Sequence, residues 1–245
     1  ADRTVLRVSG GDREIFLEGL VSNSVARIAE GPVYAAMLSP QGKYLFDFIL
    51  SADNESILVD IKTDRAQALI TRLTMYRLRA DVQIDDSGLN VIQGFDTPPS
   101  GSFSDPRSGD LGWRMYSVET WPPLDMTAWD ALRVAQGVPE TGVELLENDT
   151  YILEAGVEGL NGVDFREGCY VGQEVTARMK HKTELKKGLV RVFVEGNAKA
   201  GAPILSEGKS AGTLFTVSGN QGLAYLRFDR AKNDMQVDGA IIRRI

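Results

Sequence analysis

The sequence predicts an α+β protein: strands and helices mixed through the first three quarters, then an all-β segment. Three observations carry this. Short alternating or apolar runs at 4–8, 33–38, 44–50 and 56–61 read as strands. Ala66, Leu69, Ile70, Leu73 and Tyr76 recur at helical spacing and read as the core face of a helix. From Gly188 onward, five or six short strands are separated by Gly, Asn and Asp turns, the pattern of a small barrel or sandwich.

Taken in order, Asp12 is placed to cap a brief helix over 13–20, with Ile15, Phe16 and Leu20 inward. Ser39-Pro40-Gln41-Gly42 supplies turn residues between two strands, hence a hairpin. Thr63 or Asp64 caps the longer helix. Residues 97–112 are rich in Pro, Gly, Ser and Asp, which makes them a loop or a seam between two halves of the first domain. A helix over 127–136, with Trp129 and Leu132 inward, is stopped by Gly137 and Pro139. Gln173 and Glu174 open a further helix carrying Val175 and Met179.

Composition removes several functions. In 245 residues, 27 basic against 34 acidic side chains give −7, which argues against broad nucleic-acid or anionic-membrane binding. No apolar run approaches the ~20 residues that span a bilayer. One Cys and one His cannot build a four-ligand zinc or iron–sulfur site within one chain, and a lone Cys excludes an internal disulfide. No Walker A, GxGxxG or HExxH motif is present, so ATP, NAD and a zincin site lack support. The expected setting is the cytosol, or a mitochondrial matrix after removal of a presequence.

Four features are candidates for chemistry. Cys169 sits between Gly168 and Gly172, just ahead of a helix N-terminus, where dipole and free N–H groups favour a thiolate; the alternative is a small buried residue in a tight turn. Asp47 lies in the apolar run 45–50, opposite in facing to Phe46 and Phe48, and is either a placed carboxylate or a solvent-facing one. Glu154 ends the apolar run 151–153 and precedes Ala155-Gly156; a capping or exposed role is its plain alternative. Arg178, Lys180, His181, Lys182, Lys186 and Lys187 form a basic cluster, either a steering patch or a solvated helix end.

The heptad Gly168-Cys169-Tyr170-Val171-Gly172-Gln173-Glu174 resembles the signature of the YgfZ-type folate-binding proteins, relatives of the aminomethyltransferase (T-protein) of glycine cleavage. Ser22-Asn23-Ser24, the Pro-x-Gly turn, Leu78-Arg79, Leu111-Gly112-Trp113-Arg114 and Glu154-Ala155-Gly156 resemble further family segments, two of them strand starts at 78–82 and 111–114. The resemblance implies a T-protein-like folate-binding region over 1–186 and a C-terminal β-barrel over 187–245. It implies tetrahydrofolate as ligand, with Glu154 accepting from the pterin edge. Asp47, Arg178, Gln173 and Asn23 become further contacts, and Cys169 a candidate catalytic thiol. It also implies a role in iron–sulfur protein assembly or repair, with iron–sulfur proteins or assembly factors as partners. A folate-dependent aminomethyltransferase and a non-catalytic folate-sensing module are the alternatives. Two positions depart from the family: Glu167 replaces a lysine beside Gly-Cys, and Phe46-Asp47 replaces a pair of acids.

Overall fold

A computed structural model describes residues 2–166, 169–232 and 234–245. The first sheet consists of β1 (Arg3–Ser9), β2 (Val33–Leu38), β3 (Tyr44–Asp53), β4 (Ser56–Lys62) and β5 (Gln83–Asp86). Its order is β2-β3-β4-β1-β5, with every neighbouring pair antiparallel. β2 and β4 are almost wholly buried, because both faces of this sheet are covered. On one face Phe46, Phe48 and Leu50 pack with Leu69 and Leu73 of α2 (Thr63–Arg77). On the other, Tyr34, Tyr44 and Ile49 pack with Trp129, Ile152 and Tyr170. The alternation in β3 therefore buries Asp47, which faces the second layer and is only 6% exposed.

A second, three-stranded sheet has the order β6-β8-β7, from β6 (Asn90–Gly94), β7 (Phe103–Ser104) and β8 (Trp113–Ser117). The loop 97–112 thus contains the two-residue β7 and a 3-10 turn, Gly109–Leu111. Helices α1 (Arg13–Glu18), α3 (Met126–Gln136) and α4 (Gln173–Lys182) and a 3-10 helix, Val25–Ala29, are the other elements described before the barrel. Gly137 ends α3 in the left-handed region, as its position past the last apolar turn predicts.

The C-terminal strands close into a six-stranded barrel of order β10-β11-β12-β9-β14-β13. They are β9 (Lys187–Glu195), β10 (Pro203–Ser206), β11 (Lys209–Ser218), β12 (Gln221–Arg227), β13 (Met235–Val237) and β14 (Ala240–Arg244). Val192, Val194, Ile204, Leu214, Leu226, Met235 and Ile242 are among the side chains of its core. Helix α3 lies against β11 and β12. There Arg133 donates to Glu144 (3.1 Å) and to Thr216 of the barrel (2.8 Å).

Local details depart from expectation for identifiable reasons. Ile15 is 81% exposed, because α1 is only six residues long and Leu17 takes its buried side. Asp12 makes no side-chain cap; its carboxylate instead accepts from the Asp81 amide at 2.8 Å. Residues 78–82 form a turn, with Leu78 88% exposed, and the strand begins only at Gln83. Near the C-terminus, 235–237 and 240–244 pair as a hairpin, since Asp238 and Gly239 adopt positive φ (48° and 87°).

Candidate functional site

The least expected feature is a buried chain of alternating charges, Arg3–Asp60–Arg114–Asp105–Arg107. Asp60 is fully buried and accepts from Arg3 Nε, from Arg114 Nη1 (2.9 Å) and from the Tyr116 hydroxyl (3.3 Å). Asp105 accepts from Arg114 Nε (2.7 Å) and, in bidentate fashion, from Arg107 Nε and Nη2 (2.9 and 2.8 Å). Arg114 is 1% exposed and joins β8 to the central strand β4. Burial alone would raise the Asp105 carboxyl, but Arg107 and Arg114 overcome it and hold it well below the usual carboxylate range.

Above this chain lies a cavity of about 510 Å³. Arg3, Arg107 and Arg114 contribute charge to its wall, with Asp2 and Glu140 also lining it. Its apolar lining comes from Val91, Ile92, Trp121, Pro122, Met126 and Trp129. The Arg107 guanidinium stands 5.6 Å from the Trp129 ring and 5.7 Å from the Tyr34 ring. Gln93 of β6 also lines the cavity, and its Nε2 is buried with no hydrogen-bond partner among the described residues. A buried orphan donor beside buried arginines marks a place that an acceptor-bearing ligand would complete.

The residues nominated from sequence are not gathered around this cavity. Asp47 is held one layer back: Oδ1 accepts from Tyr44 (2.7 Å) and Thr141, and Oδ2 from Tyr34 (3.1 Å). Burial first, and Asp47 second, push both tyrosines well above the usual phenol range, so they stay protonated donors. Asn23 is buried and occupied, donating to the Tyr34 and Asn161 carbonyls (2.9 and 2.7 Å) and accepting from Ser24 N. Glu154 is 8% exposed but turned toward the barrel: it accepts from the Tyr225 hydroxyl, and Lys187 Nζ lies 3.8 Å away. Its carbonyl takes the Leu189 amide at 2.6 Å, so this residue ties β9 and β12 to the N-terminal region. Glu154→Gln should cost about 1.5–3 kcal/mol of stability through loss of the charged contact, read by denaturant unfolding.

Cys169 is exposed and free, four residues ahead of Gln173 at the start of α4. Glu167, the residue that departs from the family lysine, and Gly168 lie outside the described residues. Tyr170 is buried in the second layer, and burial pushes its phenol up to about 12. Gly172 adopts φ 87°, and a Cβ there would lie 2.6 Å from the Ser39 carbonyl oxygen, so the hairpin turn and the start of α4 meet backbone to backbone. Arg178 is exposed and pairs along its helix with Glu174 at 2.8 Å. In the basic cluster, Lys180 pairs with Glu158 at 2.5 Å, and the His181 ring stands edge-on to Phe165 at 6.0 Å.

Residues 186–244 match the C-terminal β-barrel domain of CAF17. Over 96% of its length the chain is 31% identical to the human mitochondrial iron–sulfur cluster assembly factor IBA57, covering 78% of that protein. This chain belongs to the IBA57 family. The mouse IBA57 shows 29% identity over the same shares of both chains. The crystal structure of glycine cleavage system aminomethyltransferase T from Bartonella henselae superposes with a TM-score of 0.76, covering all of this chain and 82% of the other. At 15% identity that likeness establishes the fold, a T-protein-like α+β architecture with a C-terminal barrel.

In this family member, the residues that sequence reasoning missed are Arg3, Asp60, Gln93, Asp105, Arg107 and Arg114. Asp60 reads as part of a strand, and Asp105 and Arg107 fall in a Pro/Gly-rich loop. One signal was available: a carboxylate in the otherwise apolar strand 56–61 demands a partner. The chain also makes a pH prediction. Because the folded Asp105 titrates below its unfolded value, its ionised form adds stability that is fully present above the unfolded value. That stability is lost as pH falls toward the folded value. The stability difference between wild type and Asp105→Asn, measured by thermal melts, should therefore stay constant down to about pH 4 and narrow below it.

Proposed function

We propose that this chain is an iron–sulfur cluster assembly factor that binds a tetrahydrofolate in the arginine-walled cavity. The assembly role rests on the two IBA57 relatives described above. Among the described residues no group of three or more His, Cys, Asp or Glu side chains is placed to hold a metal. A cluster would therefore be cargo shared with a partner protein, with Cys169 as the exposed thiol this chain offers. No helix among the described residues is long and apolar enough to cross a membrane.

The folate reading is carried by the cavity. Its volume suits a molecule of folate size, Trp129 and Trp121 offer flat apolar faces, and Arg107, Arg114 and Gln93 offer hydrogen-bond donors. A bound tetrahydrofolate would supply one-carbon or redox chemistry of its own; the protein's share is to seat it, order it and exclude water. Titration calorimetry with tetrahydrofolate should give one site per chain, and no heat at all would overturn the folate reading. In cells, Cys169→Ala should keep fold and folate affinity while lowering the activity of iron–sulfur enzymes. Full activity with that variant would remove the thiol from the role.

A further inference from the structure

We propose that residues 118–125, the segment joining β8 to α3, form a gate that opens to admit the cavity's ligand and closes with Trp121 laid on it. This rests on the folate reading above but concerns how a ligand enters and leaves. The segment is one wall of the cavity: Thr120, Trp121, Pro122, Pro123 and Leu124 all line it. No other part of the fold covers that wall, since residues 118–123 are all exposed. A wall one chain thick, unsupported from behind, is the part of the enclosure that moves at least cost.

The way the segment is held fits that role. Among the described residues, no hydrogen bond reaches residues 120–124, whereas both ends are fixed. Asn90 of β6 donates to the carbonyls of Val118 and Glu119 (3.4 and 3.2 Å), and the Asp125 carboxylate accepts from the Thr127 amide at 2.9 Å. Between the ends the contacts are apolar. Trp121 stands edge-on to Trp113 with ring centroids 6.0 Å apart, and Leu124 packs against the layer that holds Trp129. Such contacts are broken and remade without stranding a polar group. The middle is also stiff: Pro122 and Pro123 have fixed φ, and each keeps the residue before it in extended backbone. Residues 121–123 therefore move as one piece, and the turning falls to 119–120 and 124–125. Closure has a driving force, because Trp121 is 45% exposed and its flat face loses that contact with water when laid on a ligand ring.

The test is hydrogen exchange of the full chain read by mass spectrometry, with and without tetrahydrofolate, joined to rates of ligand binding and release. Val118, Glu119 and Asp125 do not line the cavity, so a ligand that merely touches a fixed wall leaves their amides unchanged. A closing gate should slow exchange across the whole segment, those three residues included, by about tenfold or more. Trp121→Ala should speed release of tetrahydrofolate by about tenfold or more and change its association far less, while Trp121→Phe, which keeps a flat face, should stay near wild type. Protection that is absent or confined to the lining residues would overturn the gate and leave the folate reading intact, as would release from Trp121→Ala at the wild-type rate. Failure of tetrahydrofolate to bind at all would overturn the folate reading and the gate with it.

Discussion

Asp60→Asn is expected to lower the unfolding free energy by about 3–5 kcal/mol, the usual cost of removing one partner from a buried ion pair. The carboxylate accepts from two arginines and a tyrosine while fully buried. Asparagine keeps the volume but loses the charge, so Arg3 and Arg114 are left facing each other with one neutral acceptor between them. Arg114 keeps Asp105, which limits its share of the damage; Arg3 keeps only the Asp60 carbonyl, at 2.7 Å. A second substitution discriminates charge from packing. Arg114→Met in the Asp60→Asn background removes the stranded cation and should recover part of the loss, a coupling that denaturant melts of the four proteins in the cycle would reveal. Additive losses would mean the chain acts through packing alone.

Gly172→Ala should be the second large effect, about 1–3 kcal/mol from backbone strain alone, with the collision at the Ser39 oxygen added to it. The new methyl would also lie 3.0 Å from the Leu38 Cβ. Neither neighbour is a flexible side-chain tip, so the start of α4 must move away from the hairpin turn. That movement carries Tyr170 out of its layer and displaces Cys169. The measurement is paired: a lower unfolding midpoint, and a changed rate of Cys169 alkylation in the folded protein. A variant of wild-type stability and wild-type alkylation rate would show that the close approach at Gly172 is dispensable.

These two positions also show what can be read from a sequence and what cannot. Gly172 is legible in part: a glycine immediately before a helix marks backbone that must turn tightly, whereas its close approach to the Ser39 carbonyl joins segments far apart in the sequence. The burial of Asp47 is half legible. Alternation correctly sets it opposite Phe46 and Phe48, but cannot say that Tyr34 and Tyr44 cover the other face. The ion chain is not legible, since its links join positions 57 and 54 residues apart and depend on how β8 is laid beside β4. The same distance hides the partner of Glu154, for Tyr225 lies 71 residues further on, in the barrel. Strands, helices and the change of texture at Gly188 follow from periodicity, whereas the cavity belongs to packing between sheets that no local pattern encodes.

A crystal structure of the complex with tetrahydrofolate tests the central claim most directly. The predicted result is folate density between Trp129 and the wall formed by Arg107, Arg114 and Gln93. Folate seated instead on Glu154 at the junction with the barrel, with that cavity vacant, would contradict it.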